Sequence, residues 1–224
     1  MLIQLDFSAV LASWPLLVRG VVWTIGLTIV GTVLGLLLGT ACAWARARNL
    51  GYRPAPLRWA VASYVELVRN TPFIVQLFFL FFGLPALGLK LSPEFASVLA
   101  MVINLGAYSA EIIRAGIEAT PRGQIEAAHS LALTPDQTFR RVVLPPALQK
   151  VWPAMVSQII IVMLGSAVCG QISTPELSYA ANLISSNTFR AFEAFILATA
   201  VYLLLSMATR RLLMWMGARF LVGR

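Results

Sequence analysis

Long apolar stretches alternate with short polar ones along this chain, and their lengths suit a lipid bilayer. Gly20 to Ala45 is 26 residues without a charge, more than the roughly 20 that a spanning helix needs. A second stretch runs from about Trp59 to Leu89, with Glu66 and Arg69 in its first third, and Lys90, Ser92 and Pro93 close it. The third runs from Phe95 to Ile113. Only 16 residues separate Glu94 from Glu111, so this helix either continues through Glu111 or tilts into a shielded site. Val151 to Pro175 gives 25 uncharged residues, and a polar outer connection follows from Glu176 to Arg190. Ala194 to Thr209 adds 16 more, lengthened by Phe189, Phe192 and Trp215 as interfacial anchors. The pattern predicts an all-α fold. It is a polytopic membrane bundle, one domain over residues 1–224, with spans near 18–45, 60–89, 95–114, 150–172 and 190–212.

Composition agrees. Hydrophobic residues make up 59% and charged residues 12%, against roughly 25% charge on a soluble domain. The net charge of +8 raises nucleic acid as a partner, and the positions of the charges answer it. Arg46, Arg48, Arg53 and Arg58 lie between the first two apolar stretches. Arg114, Arg122, Arg140, Arg141 and Lys150 flank the central polar segment, and Arg210, Arg211, Arg219 and Arg224 close the chain. Thirteen of the 17 basic residues therefore fall in alternate connections, the positive-inside pattern of a membrane protein. Nothing resembles a basic reading helix, so no nucleic-acid partner is expected and the lipid bilayer accounts for the basicity. Five crossings then put the N-terminus outside and the C-terminus in the cytoplasm. The start, Met1-Leu-Ile-Gln-Leu-Asp6, has neither the basic patch nor the small-residue site of a cleaved signal peptide. Cys42 and Cys169 lie in apolar runs without neighbours at metal-ligand spacing. No metal site is expected.

Several residues in the spans invite a role. Gly31, Gly35 and Gly39 recur every four residues on one helical face. They either bring a neighbouring backbone close or reflect the abundance of glycine in membrane helices. Glu66 with Arg69, and Glu111 with Arg114, are each three apart on one face and able to neutralise each other. They are either interfacial ion pairs or parts of a gate. Gln76, Asn104, Tyr108, Gln158 and Ser166 are uncharged polar groups nearer mid-span. Such groups either hydrogen-bond a zwitterionic solute or join helices. Together with Arg69 and Glu111 they form the candidate solute pathway.

The central segment, 115–149, carries the most pattern. Pro121 and Gly123 release the chain from the third span, and Gln124 to Leu133 forms an Ala-rich helix with a narrow apolar face. Thr134 caps a second helix with Pro135 at its first position and Gln137 three residues on. Pro145 and Pro146 end it before the fourth span. Such a cytoplasmic helix either docks into a partner's groove or lies on the lipid surface, with His129 facing solvent or that partner.

The spacing Glu126-Ala127-Ala128, three residues, Ala132, nine residues, Val142-Val143-Leu144-Pro145 resembles the EAA loop of permease subunits in binding-protein-dependent ABC importers. Tyr108-Ser-Ala-Glu111-Ile-Ile-Arg114-Ala-Gly116, Arg69-Asn-Thr71-Pro72-Phe-Ile-Val-Gln76 and Thr174-Pro175-Glu176-Leu177 are similar to the branch that imports polar amino acids and opines. The resemblance spans roughly Thr24 to Arg211. It implies a type I importer-like fold in a bacterial inner membrane, a dimer with a second permease chain (identical or related), a cytoplasmic ABC ATPase dimer and a periplasmic amino-acid-binding protein. It also implies a coupling surface of Glu126, Ala127, Ala128, Leu131, Ala132, Leu144 and Pro145, whose small side chains let the ATPase approach. The chain departs from the family at Ala132 and Asn70, where glycine is usual. Alanine resists positive φ, so the turn at Ala132 is either helical or mildly strained. A Lys-Asp-Thr-Ser-Leu run usual before the Pro-Glu-Leu motif is Leu164-Gly165-Ser166-Ala167-Val168 here.

No cofactor is expected on this chain. Gly83-Leu-Pro-Ala-Leu-Gly88-Leu-Lys90 lacks the Gly-Lys-[Ser/Thr] of a phosphate loop, so ATP and Mg²⁺ belong to the partner ATPase and the chain itself is not an enzyme. The alternative is an ion-gradient-driven transporter or channel, which needs carboxylates or broken helices near mid-membrane. A membrane enzyme would need a nucleophile-base pair or metal cluster. The charge pattern makes one direct prediction: a reporter active only in the cytoplasm works when fused after Arg224 and fails when fused before Asp6. The opposite result would invert the topology.

Overall fold

A computed structural model describes residues 5–46 and 55–222. Arg48, Gly51, Arg53 and Pro54 of the expected basic loop, and Arg224, lie outside the described residues. Ten α-helices are joined by short π and 3-10 turns, with no strand among the described residues. They are α1 (Ser8–Ala12), α2 (Trp14–Arg46), α3 (Ala55–Arg69), α4 (Phe73–Phe78), α5 (Pro93–Glu118), α6 (Arg122–Ser130), α7 (Pro135–Thr138), α8 (Leu144–Gly165), α9 (Leu177–Thr188) and α10 (Ala191–Gly217). Four stretches are long and apolar enough to cross a membrane among the described residues, and a fifth is reached only where α3 and the helical stretch after it, sharply bent at 70–72, count as one span.

The break corrects the expected continuous helix at 60–89. Pro72 has no N–H and disfavours helical geometry at Thr71, so α3 stops at Arg69. Its last carbonyls stay occupied: the Asn70 amide Nδ2 donates to Glu66 O (2.8 Å) and the Thr71 hydroxyl to Leu67 O (2.9 Å). After α4 the chain widens into a π turn (Phe79–Gly83), then a 3-10 turn (Leu84–Leu87) ended by Gly88 at φ 86°. The third span resolves as a single helix through Glu111 to Glu118.

The fourth span departs in both directions. Pro145 and Pro146 do not terminate the preceding helix. They are the second and third residues of α8, directly after the π turn, and the helical run continues through them. The π turn Phe139–Val143 joins α7 to α8 without interruption. At the other end α8 stops at Gly165, and residues Ser166–Ile172 tighten into a 3-10 stretch closed by Ser173 at φ 67°.

The described chain divides into two compact units, each built from segments distant in sequence. One comprises the chain up to Gly31, Phe73–Met101 and Ile160–Thr209. Its core gathers Val10, Leu17, Leu177, Ala181, Ile184, Ala194 and Ala198. The expected polar outer connection 176–190 is therefore mostly helix α9, which buries Leu177, Ala180, Ala181 and Ile184. Glu176, fully buried, caps α9 by accepting from the Ser178 N–H (2.8 Å) and the Tyr179 N–H (2.7 Å), and it also accepts from the Tyr202 hydroxyl. Thr174 links to the Ser97 hydroxyl at 2.7 Å and donates to Pro93 O at 3.1 Å, and the Leu177 N–H donates to Thr24 Oγ1 at 3.2 Å. The Thr-Pro-Glu-Leu motif is thus a structural knot.

The other unit comprises Thr32–Pro72, Val102–Ile159 and the chain from Arg210. Here the glycine stripe shows its purpose. A Cβ on Gly39 would stand 1.9 Å from Ser109 Oγ and 2.9 Å from Gly106 O, and one on Gly35 would stand 2.9 Å from Leu105 Cβ. Helices α2 and α5 meet backbone to backbone along it, as small-residue stripes allow. Ser109 adds a hydrogen bond to Gly35 O at 3.3 Å. Trp152 Nε1 donates to Leu213 O (2.9 Å), tying α8 to α10. Gly39→Val is expected to destabilise the purified chain by roughly 1–3 kcal/mol, the cost of overpacking. Gly26→Ala, at a glycine with nothing near its missing Cβ, should leave the melting temperature almost unchanged.

Candidate functional site

The segment 115–149 lies wholly within the second unit, and its turns are closed by local hydrogen bonds. Helix α6 ends in a double turn: the Ala132 N–H donates to His129 O (2.9 Å) and the Leu133 N–H to Ala128 O (3.1 Å). This is the Schellman arrangement, which requires a left-handed residue. Ala132 supplies it at φ 54°. Of the two expectations for this turn, the strained one is the observed one. Immediately after it, Thr134 and Gln137 complete a reciprocal capping box. The Gln137 N–H donates to Thr134 Oγ1 at 3.3 Å, and the Thr134 N–H to Gln137 Oε1 at 2.9 Å. Pro135 occupies the first helical position of α7, where its ring costs no hydrogen bond.

Helix α6 has two faces. Ile125 and Ala128 are buried against the chain's own unit, while Glu126, Ala127, Leu131 and Ala132 are exposed. Ala128 therefore does not belong to a partner-facing surface: it is 2% exposed and packs inward. Leu131 does the opposite. An apolar side chain 76% exposed beside charged residues is an unpaired knob. Leu144 is half-buried and Pro145 exposed at the start of α8. Trp44 stacks obliquely on Phe139 of the π turn at 6.5 Å.

The polar span residues separate into groups. Within the second unit Arg69 lies over the Tyr108 ring, 5.6 Å from its centre, a cation–π contact. Among the described residues no ion pair joins Arg69 to Glu66, so that expected pair is replaced. Asn104 is buried one turn before Tyr108 on α5. Glu111 pairs with Arg114 as expected and also with Arg46 at 3.1 Å, and Arg114 extends the chain of charges to Glu118. Gln158 on α8 is half-buried. Gln76 belongs to α4, in the first unit. Ser166 is fully buried there and donates to Met163 O at 2.6 Å.

Sequence reasoning missed three functional neighbours. Arg46 looked like a loop charge but ends α2 and neutralises Glu111. The signal was its place as the first charge after a 26-residue apolar run. Glu118 lies seven residues beyond Glu111, two helical turns on the same side. Glu176 was placed in the polar outer connection, and it is itself the N-cap of α9, its carboxylate accepting from the Ser178 and Tyr179 N–H groups. Burial pushes the Glu176 carboxyl up from its ordinary range, and the hydrogen bonds from Tyr202, Ser178 and Tyr179 work against that shift.

Comparison with known proteins gives a consistent result. The family described as "Binding-protein-dependent transport system inner membrane component" matches residues 35–222. The L-cystine transport system permease protein TcyB of Bacillus subtilis (strain 168) is 38% identical over 164 residues, 73% of this chain and 68% of that protein. The probable glutamine ABC transporter permease protein GlnM of the same organism is 32% identical, over 90% of this chain and 92% of the relative. The nopaline transport system permease protein NocM of Agrobacterium fabrum (strain C58 / ATCC 33970) is 30% identical, covering 94% and 90%. A crystal structure of an amino acid ABC transporter with histidines superposes with a TM-score of 0.85 at 33% identity, covering 97% of this chain and all of that one. An inward-facing structure of the MetNI methionine ABC transporter gives 0.69 at 25% identity, covering 88% and 94%.

Strain at Ala132 gives a stability prediction. A left-handed alanine costs about 1–2 kcal/mol, and glycine returns part of that through its unfolded-state freedom, roughly 0.4–1 kcal/mol. Ala132→Gly should therefore raise the melting temperature slightly, by the equivalent of about 0.5–1 kcal/mol. A drop on thermal unfolding of the detergent-solubilised chain would contradict the observed turn.

Proposed function

The chain belongs to the family of binding-protein-dependent transport system inner membrane components, and from that membership we propose that it is one of two permease chains in an ATP-driven importer of a polar amino acid or opine. The relatives named for cystine, glutamine and nopaline support the solute class. The observation that carries the coupling role is Leu131, an exposed apolar knob on a capped, inward-anchored helix. A cytoplasmic ATPase pair with a hydrophobic groove would receive it, flanked by Glu126 and Ala127. ATP is bound with Mg²⁺ and hydrolysed there, and a periplasmic binding protein delivers the solute. The second permease chain, identical or related, completes the pathway. The N-terminus lies outside and the C-terminus in the cytoplasm.

The solute stripe in this reading is Asn104, Tyr108 and Arg69, with Gln76 and Gln158 as further polar candidates. Glu111 acts mainly as an ion-pair partner, because Arg46 and Arg114 both claim it. An ion-coupled carrier fits less well. Its coupling carboxylate must be free to take and release a cation, whereas Glu111 is paired and Glu176 is occupied by three donors.

The reconstituted complex separates the two halves of this proposal. Leu131→Asp should remove solute-stimulated ATP hydrolysis by at least tenfold, as expected when a charge replaces an apolar anchor worth about 2 kcal/mol, while membrane insertion and basal turnover persist. Asn104→Ala should depress uptake more than basal hydrolysis. Full stimulation with Leu131→Asp refutes the coupling role, and uptake driven by an ion gradient without ATP refutes the importer.

A further inference from the structure

At the basic ends of α2, α3 and α5, inside the second unit, lies a cavity of about 390 Å³. Its lining includes Arg46, Arg58, Arg114, Ala55, Trp59 and Glu118. The charges there do not balance. Glu111 takes Arg46 and Arg114, and Glu118 takes a second bond from Arg114. Three guanidinium groups thus meet two carboxylates, and Arg58 makes no ion pair among the described residues. Each guanidinium carries five donors, so even the paired arginines keep N–H groups to offer.

Two further features sharpen the chemistry. Ala55 is the first described residue of the 15-residue helix α3, so this wall of the cavity lies at the positive end of a helix dipole. Next to Arg58, Trp59 is 74% exposed and Leu57 43% exposed. Tryptophan with an apolar body and a polar N–H settles at the boundary between headgroups and acyl chains. A cationic cavity of this size admits a small ligand, and an apolar rim beside it suits a ligand with acyl chains. Basic pockets between spanning helices are places where phosphate headgroups collect.

We propose that this cavity binds the phosphodiester headgroup of an anionic phospholipid, with Arg58 as the principal phosphate ligand, Arg46 and Arg114 contributing their remaining donors, and Trp59 lying along the acyl boundary. The site is separate from the coupling face of α6 and stands whether or not that face meets an ATPase. A free phosphate shares the chemistry of the headgroup but would gain nothing from Trp59 and Leu57. Planar guanidinium forks bind phosphate in a bidentate way that a lysine cannot copy.

The test uses the full chain in nanodiscs of phosphatidylcholine containing a minor fraction of phosphatidylglycerol, with the lipid retained through purification counted by mass spectrometry. The wild-type chain is expected to retain phosphatidylglycerol selectively. Arg58→Gln should weaken that retention by roughly tenfold, the worth of one charge-assisted hydrogen bond. Arg58→Lys, which keeps the charge, should also weaken it, and this variant guards against a folding defect in the first. Melting in pure phosphatidylcholine should be the same for all three chains. Equal retention in wild type and Arg58→Lys and Arg58→Gln overturns the site. Stabilisation by inorganic phosphate through Arg58, without selection for phosphatidylglycerol, overturns the lipid assignment in favour of a free anion. Loss of ATPase-subunit binding in Arg58→Gln with lipid retention unchanged would make the cavity part of a protein interface and equally overturn it.

Discussion

A chain that crosses hydrocarbon must satisfy every backbone polar group from within, because no water is available to do it. Regular helix solves this automatically, so the demanding places are those where helix stops. This chain stops at 70–72, at 131–134 and at 166–176, and at each stop a side chain or a tight turn takes over the orphaned groups. Asn70 and Thr71 cover carbonyls of α3. The double turn at Ala132 covers those of α6. Glu176 covers the first amides of α9 and is itself held by Tyr202. The polar residues that look conspicuous in an apolar sequence are, in large part, repairs to the backbone.

The same economy governs the charges. An unpaired ion in a low-dielectric setting costs several kcal/mol, and here the ions of α2 and α5 are drawn into one line: Arg46, Glu111, Arg114, Glu118. The line gathers at the basic helix ends, where water and headgroups lower that cost. It follows that Glu111 is a poor candidate for a free acceptor of a solute ammonium. Arg69, by contrast, is held over the Tyr108 ring, one turn beyond the buried Asn104.

Features set by local chemistry were legible in the sequence. The capping box at Thr134–Gln137 and the glycine stripe at 31, 35 and 39 each depend on residues within a few positions or on one helical face. The Glu-Ala-Ala spacing carried the family. What escaped was decided by partners far along the chain. Nothing within ten residues of Glu176 announces that Tyr202 will bury it. Ala128 reads as part of a small-residue surface until its inward packing is seen. Pro145 and Pro146 looked like terminators, yet the helical run passes through them directly after the wider π turn Phe139–Val143. The Asn-Thr-Pro break was visible in principle, but a hydropathy average over 60–89 hides a three-residue interruption.

The rigidity of the coupling segment has a mechanical consequence. Helix α6 is anchored inward by Ile125 and Ala128, and it touches the π turn Phe139–Val143. That turn runs without a break into α8, whose Trp152 is bonded to α10. A flexible loop at 131–134 would let α6 rock without moving anything else. The observed loop allows little of this, since one end is closed by the turn at Ala132 and the other by the capping box. The exposed Leu131 face is thus joined through α7 and the π turn to the base of α8. A glycine at 132 would make the turn easier to form and also easier to flex, so the left-handed alanine trades a small cost in stability for a narrower range of backbone conformations.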